Sequence, residues 1–343
     1  MADTFEVLIR PHGRRIRVRI GQSVLEAALE AGLNLPHSCR SGHCASCRAH
    51  LVSGTIAYPH GRPLGITAEE ASRGDVLLCQ ARACSDLEVE ARLIARVGEV
   101  EIKTLPCRIE RKVLLAPDVA QVFLRLPTVE RLEFQPGQYL DVLIEGGRRR
   151  SFSIASPPHD RGPIELHVRR VAGGGFTSRL FDELAPGALL RIEGPLGQFV
   201  YRDSSAPMIL VAGGTGFAPI KAILRHVLEH RIERPAHLFW GARRAPDVYE
   251  EALVLEWARR YPGFTFTAVL SEASDPAAPH RELGLVTDAM LAHYPRIERE
   301  DVYAAGPPAM IEALRAELPR HGLDAQRLYF DSFDYAPDVL AQS

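Results

Sequence analysis

The sequence predicts a multidomain chain of α+β and α/β class: a small mixed module, then an antiparallel β-barrel, then a doubly wound parallel sheet. Three observations carry this prediction. Four cysteines stand in the first quarter, Cys39, Cys44 and Cys47 in C-x₄-C-x₂-C spacing and Cys79 apart from them. Between Cys107 and Glu193, short strand patterns are separated by turn clusters such as Glu145-Gly-Gly147 and Ser156-Pro-Pro-His-Asp160. After Pro207, strand and helix patterns alternate. At 343 residues the chain is long for one core and comfortable for two or three domains.

In chain order, Phe5–Ile9 and Arg15–Ile20 alternate apolar and charged residues, as half-buried strands do, with a turn at Pro11-His-Gly13. Ser23 caps a helix over Val24–Ala31, Glu26 completes a capping box, and Gly32 ends the helix. A linker is expected near 96–103. Barrel strands are expected at Cys107–Leu115, Val119–Leu126, Gln138–Ile144, Arg149–Ile154, Ile164–Val171 and Leu189–Glu193, with one helix at Thr177–Leu184. Met208–Gly214 then reads as a buried strand, and Pro219–His230 as a helix with proline in its first turn. The alternation continues through His237–Gly241, Asp247–Arg260, Phe264–Leu270, Leu283–His293, Val302–Ala305, Pro308–Arg320 and Leu328–Phe330, a parallel sheet of about five strands. The expected domains are therefore 1–96, 103–202 and 206–334.

A net charge of −2 implies no polyanion, so no nucleic acid is expected as partner. Apolar runs such as Met208–Ala212 are too short to cross a bilayer. Met1–Ile20 carries scattered charges and no apolar signal segment. The expectation is a cytoplasmic, monomeric protein without membrane attachment.

Thiolates at the spacing of Cys39, Cys44, Cys47 and Cys79 suit a [2Fe–2S] cluster. Zinc favours two separated C-x₂-C knuckles, and only Cys44 and Cys47 are so spaced. Disulfides are rare in a reducing compartment. Gly42 fits a loop whose backbone packs closely around an inorganic sulfide. Cys84 and Cys107 lie outside the pattern and read as small buried residues. Arg40, His43 and Arg48 could steer an acidic partner, but solvated surface is the simpler reading. The strand–hairpin–helix start followed by this loop resembles plant-type ferredoxins over roughly the first hundred residues, which implies a β-grasp-like fold.

Arg150-Ser151-Phe152-Ser153 offers a cation, an aromatic face and a small hydroxyl, the groups a flavin needs at its pyrophosphate, its ring and N5. The run resembles the R-x-Y-S signature of the ferredoxin–NADP reductase superfamily, with phenylalanine in place of tyrosine. Gly173-Gly-Gly-Phe-Thr177-Ser178 precedes a helix and can cradle phosphate with backbone N–H groups. The family's G-x-x-S/T pattern fits Gly174 to Thr177 or Gly175 to Ser178, with Phe176 between them. The resemblance also assigns His167 and Val168 to the flavin and implies FAD.

Val211-Ala-Gly-Gly-Thr-Gly-Phe-Ala-Pro219 joins the first parallel strand to its helix, so Gly213, Gly214, Thr215 and Gly216 can admit a pyrophosphate. It is similar to the family's G-G-T-G loop. Ala305-Gly306-Pro307-Pro308 resembles its C-G-x-P turn, with alanine where the family has a cysteine beside the site of hydride transfer. That cysteine is neither donor nor acceptor, so the change bears on rate rather than on capacity. Glu272 would repel a 2′-phosphate, whereas Arg243 and Arg244 would suit one. The balance favours NADH and leaves NADPH open. Tyr329-Phe-Asp331-Ser-Phe333 resembles last strands that end beside the flavin, with Ser153, Asp331 and Phe333 as the implied catalytic residues; a plain buried strand end is the alternative. Residues 334–343 extend beyond this pattern.

His226 and His230 share a helix face, but the glutamate of H-E-x-x-H is missing between them, so a surface face is expected. Over nearly its full length the chain resembles reductase components of bacterial multicomponent oxygenases. That resemblance implies an NADH-dependent iron–sulfur flavoprotein that passes electrons through FAD and the cluster to a terminal oxygenase or another electron-accepting protein. A ring-hydroxylating dioxygenase of aromatic catabolism is the favoured acceptor. Similar reductases serve deoxysugar dehydratases or di-iron monooxygenases, and a redox-sensing module without turnover belongs to a different class.

Overall fold

The computed structural model describes residues 4–33, 35–37, 40, 42, 47–63, 65–91, 101–145, 148–171, 173–272 and 278–333. The chain forms two compact units, Met1–Val100 and Glu101–Ser343. Of the linker expected near 96–103, residues 96–100 lie outside the described residues.

In the first unit the alternating segments form β1 (Thr4–Arg10) and β2 (Arg14–Arg19), followed by α1 (Val24–Glu30). The capping box is present: the Glu26 N–H donates to Ser23 Oγ at 3.1 Å, and Glu26 Oε2 accepts from the Ser23 N–H at 2.9 Å. Next come β3 (Arg48–Ser53), β4 (Ile56–Ala57), α2 (Ala68–Ser72), β5 (Asp75–Leu77), β6 (Arg82–Ala83) and β7 (Leu87–Glu90). The main sheet runs β2-β1-β7-β3-β5, with β1 parallel to β7 and the other pairs antiparallel. Val24, Leu25, Ala27 and Ala28 of α1 join its buried core.

The second unit opens with β8 (Lys103–Ala116), β9 (Val119–Arg125), β10 (Tyr139–Leu143), β11 (Arg149–Ser153), β12 (Ile164–Arg169), α3 (Gly175–Asp182) and β13 (Leu189–Leu196). Their sheet is antiparallel in the order β11-β10-β13-β8-β9-β12. An Ile154↔Leu166 bridge brings its two end strands together, so the sheet curls into a barrel. Along β12 the pleat sends Ile164, Leu166 and Val168 into the barrel core and Glu165, His167 and Arg169 to the other face.

The parallel half comprises β14 (Met208–Gly213), α4 (Phe217–Glu229), β15 (Ala236–Ala242), α5 (Glu251–Arg260), β16 (Phe264–Leu270), β17 (Arg281–Leu283), α6 (Val286–His293), β18 (Asp301–Gly306), α7 (Pro308–Glu317) and β19 (Leu328–Ser332). Six strands run β17-β16-β15-β14-β18-β19, all parallel, rather than about five. The extra strand, β17, is three residues long, too short for a periodic signal, and overlaps the start of the segment expected to be helical. Buried β14, fully apolar apart from its closing glycine, is flanked by cores on both faces of the sheet. The order of addition reverses between β14 and β18, which opens a crevice at their carboxyl ends.

Candidate functional site: a thiolate loop and a two-cofactor crevice

In the first unit, Cys47 precedes β3 and Cys79 follows β5, and both are buried. Their segments are joined by the Leu78 N–H donating to Cys47 O at 3.1 Å. Tyr58 lies near both cysteines, and its hydroxyl accepts from the Leu77 N–H at 3.0 Å. Burial, and after it the nearby Cys47 and Cys79 thiols, push the Tyr58 ionisation up. Cys39, Cys44 and His43 lie outside the described residues.

What surrounds the loop suits an anionic iron–thiolate group. Arg40 has φ +54, and its Nε is enclosed without a hydrogen-bond partner. Beside it His37 is buried and pushed down to about 4 by burial and by the Arg40 charge. Arg48 donates to Glu70 at 2.6 Å. Arg40 and Arg48 are thus partly buried structural residues rather than freely solvated cations. Gly42 is needed for its own protein neighbours, not only for a sulfide. It has φ +86, and a Cβ there would stand 2.8 Å from Gln80 Cγ and 2.9 Å from Pro63 Cβ. Cys107 is buried, its thiol pushed up to about 12 by desolvation, but Cys84 is exposed, against the expectation that both are buried.

In the second unit, the flavin motif occupies one end strand of the barrel, β11, and His167 and Val168 occupy the other, β12. On β11 the pleat places Arg150 and Phe152 on one face and Ser151 and Ser153 on the other. Phe152 lies 5.8 Å from the ring of Phe176, which is buried in the barrel core and braces it. Ser151 Oγ donates to the buried Asp141 at 2.6 Å, and Ser153 is buried at the strand's end. Helix α3 has Gly174 as N-cap with no side-chain cap, so its first N–H groups remain available. A Cβ on Gly175 would meet nothing within 4 Å, whereas one on Gly174 would press on Thr177 Oγ1 at 2.6 Å. Thr177 Oγ1 accepts from the Val171 N–H at 3.1 Å and donates to Gly174 O at 3.3 Å, holding the glycine loop closed. Ser178 is the half-buried hydroxyl of the pair.

Two of these assignments change character. The Val168 side chain belongs to the barrel core. The His167 ring is fully enclosed, bonded to Tyr249 OH at 3.0 Å and Glu165 Oε1 at 2.8 Å. It belongs to a buried network across the seam between barrel and parallel sheet. There Lys221 Nζ of α4 donates to Glu165 at 2.8 Å and to Glu250 at 2.6 and 2.8 Å. Only the backbone of His167 and Val168, on an end strand, is left for a ligand. The spacing of Glu165, His167 and Glu250 would suit a cation, and the Lys221 ammonium takes that position.

Arg169 went unnoticed in the sequence. Its Nη1 reaches Asp118 at 3.1 Å, but Nη2 is enclosed with no partner. A Cβ on Gly214 would lie 3.4 Å from that nitrogen. A barrel cation therefore faces the first loop of the parallel sheet, which fits a phosphate-bearing cofactor. The available signal was the outward pleat of β12, which places Arg169 beside Glu165 and His167.

The two loops expected to take the nicotinamide cofactor meet in the crevice. A Cβ on Gly216 would lie 1.9 Å from Ala305 O, one on Gly213 would lie 2.6 Å from Pro307 Cδ, and one on Gly306 would lie 2.9 Å from Gly213 Cα. These three glycines let the two loops pack together, and Gly214, at φ +54, keeps the half-open face with Thr215. Pro308 opens α7. Trp240 donates to Gly214 O at 3.0 Å and stacks on Phe217 at 3.9 Å, setting the loop's position from below. Asp331, buried, pairs in register with Ala305, and the Phe333 N–H donates to Gly306 O at 2.8 Å. The last strand thus ends at the same crevice. Arg244 stands 3.5 Å from Glu272 and Arg243 3.8 Å from Asp247, so each arginine already faces a carboxylate.

Comparison with known proteins accords with this division. Residues 7–84 match the 2Fe-2S iron-sulfur cluster binding domain, residues 106–201 the oxidoreductase FAD-binding domain, and residues 210–316 the oxidoreductase NAD-binding domain. The reductase component 2 of terephthalate 1,2-dioxygenase from Comamonas sp. is 38% identical over 319 residues, 92% of this chain and 94% of that protein. The CDP-6-deoxy-L-threo-D-glycero-4-hexulose-3-dehydrase reductase of Yersinia pestis is 36% identical over 311 residues, 91% of this chain and 93% of that one. Among solved structures, Amycolatopsis cytochrome P450 reductase GcoB matches with a TM-score of 0.79 and 36% identity, covering 96% of this chain and 99% of that one. No described helix is long and apolar enough to cross a membrane.

Proposed function

Because this chain belongs to the family of iron–sulfur flavoprotein reductases that includes oxygenase reductase components, we propose that it carries electrons from NADH through FAD and a [2Fe–2S] cluster to a ring-hydroxylating oxygenase. Bound flavin supplies the conversion between a two-electron hydride donor and a one-electron cluster. The protein's part is to bind and orient. The loops at Gly213–Gly216 and Gly306–Pro308 receive the dinucleotide, with Glu272 at the adenosine end favouring NADH. Arg150, Phe152 and the first N–H groups of α3 hold FAD, while Ser153 stands at the flavin end of β11. Phe333 would cover the ring of bound flavin and Asp331 would border it. Cys39, Cys44, Cys47 and Cys79 hold the cluster.

The observation that supports this reading best is the approach of Arg169, on the barrel's end strand, to Gly214 on the nicotinamide loop. A redox pair must be held face to face, and these elements belong to one compact unit. A second reading, an electron supply for a deoxysugar dehydratase, is favoured by the Yersinia relative. Anaerobic addition of NADH to the purified protein tests the electron path. Bleaching of the flavin band followed by a reduced-cluster paramagnetic signal is expected, and flavin bleaching alone would remove the cluster from the proposal. Reconstitution with a ring-hydroxylating oxygenase and with a sugar dehydratase separates the two acceptors.

A further inference from the structure

We propose that His159, His226 and His230 form a separate site for a divalent transition metal of the zinc class, joining the barrel to the parallel-sheet half of the second unit. His226 and His230 stand one turn apart on or next to α4, and His159 comes from the barrel's loop between β11 and β12. A helical pair of histidines is ordinary; the third ring, supplied by a different layer of the fold, is not explained by helix periodicity. One ring nitrogen from each residue lies within 4.8 Å of the other two. The ring centres are 4.4 Å apart for His159 and His230, and 4.5 Å for His226 and His230.

Hydrogen-bond partners decide which nitrogens are free to ligate. The His230 Nδ1 faces the His226 carbonyl oxygen at 2.9 Å, which can only accept, so Nδ1 carries the proton and Nε2 the lone pair. His159 Nε2 faces Glu229 at 2.6 Å, and donation to that carboxylate leaves Nδ1 as the ligating atom. Glu229 is itself held by Arg225 at 2.7 Å, so it orients the ring in the carboxylate–histidine–metal manner. His226 Nδ1 is enclosed and has no hydrogen-bond partner. A buried polar nitrogen left unsatisfied is costly in a metal-free protein and needs an explanation.

Three neutral imidazoles are borderline-soft donors that suit zinc and leave a fourth position for water. Zinc–nitrogen bonds of about 2.0–2.1 Å place tetrahedral ligands roughly 3.4 Å apart, so the rings must draw together on binding. His159 and His230 are exposed and can make that adjustment by side-chain rotation. The four cysteines lie in the other compact unit and belong to a different chemistry. Helix α4 follows directly on the Gly213–Gly216 loop, so an ion here would tie the nicotinamide loop's own helix to the barrel.

The test uses intact holoprotein equilibrated with zinc, freed of unbound metal by gel filtration and analysed for zinc and iron together, with affinity measured by calorimetry. One additional zinc per chain with unchanged iron is expected. His159→Ala and His230→Ala, both at exposed positions, should each weaken binding by at least about tenfold, the least that loss of a partner behind a ligand costs. The thermal midpoint should rise with zinc in the wild type and not in the double variant. Failure of the wild type to take up zinc would overturn the proposal, as would full zinc uptake by the double variant or uptake matched by lost iron.

Discussion

At the scale of single residues, the glycines of the two cofactor loops divide by what a side chain would strike. Gly216 has Ala305 O where a Cβ would go, while Gly175, outside the left-handed region, has open space. Gly175→Ala should therefore leave unfolding free energy within about 0.5 kcal/mol of wild type, and any change in retained FAD would report a ligand at that spot. Gly216→Ala should force the Gly213–Gly216 and Ala305–Gly306 segments apart, lowering stability by about 1–3 kcal/mol and raising the KM for NADH. Equal effects at both positions would contradict this division. Glu272 supports a separate test, because Arg244 and Arg243 each face a carboxylate and offer a 2′-phosphate little uncompensated charge. Glu272→Lys should shift the ratio of kcat/KM values towards NADPH by about tenfold, equivalent to ~1.4 kcal/mol. The motif segments stood out in the sequence because chemistry restricts which residue types can stand there, and the matched families cover all of the segments but Tyr329–Phe333. Arg169 was not legible, since one arginine on a strand carries no signal until the pleat and the facing loop are known.

At the scale of elements, hydrophobic periodicity gave the correct kind for every barrel strand and nearly every segment of the parallel sheet, and Phe264–Leu270 even to its ends. It failed at β17, and it was silent on the pieces β3 to β7, most of them two to four residues long. Nor could it foresee that His167 serves a seam. The network of Lys221, Glu165, His167 and Glu250 joins β12 to α4 and the segment before α5, and it is nearly dry. Removing the cation strands two buried carboxylates, so Lys221→Met should cost about 3–5 kcal/mol in urea unfolding. Burial by itself would raise the Glu165 carboxyl, but the His167 hydrogen bond and the Lys221 charge hold it below its ordinary value of 4.5. Its stabilising share is thus complete above pH 4.5 and is lost only as acid approaches the lowered folded value. In the variant the folded carboxyl protonates more readily, so the difference from wild type should be widest near neutrality and narrow below pH 4.5. A gap that stayed constant with pH would show that lost packing of the lysine stem, not charge, sets the cost.

At the scale of the whole molecule, the order of the three motif sets along the chain foretold the order of functions, because each fold must be completed by contiguous sequence before its site exists. The division into compact units is coarser, since residues 101–343 hold together as one and 1–100 as another. Among the described residues, the core behind Cys47 and Cys79 contains only residues of the first unit. Among the described residues, those beneath the residues expected to take flavin and nicotinamide contain only residues of the second. Loss of the cluster should then be felt locally, as for sites that share no partners. Cys79→Ser is nearly isosteric and removes one buried cysteine sulfur. The variant should retain FAD, and NADH oxidation by ferricyanide, a small ion able to accept electrons from any reduced centre, should stay within roughly twofold of wild type. Delivery to cytochrome c, which must draw on the one-electron centre, should fall by more than about tenfold, with iron and acid-labile sulfide lost in parallel. If both acceptors lost activity together, with FAD still bound, the two units would be functionally inseparable. If cytochrome c reduction survived without iron, electrons would be leaving from the flavin, and the cysteines would have to be reassigned.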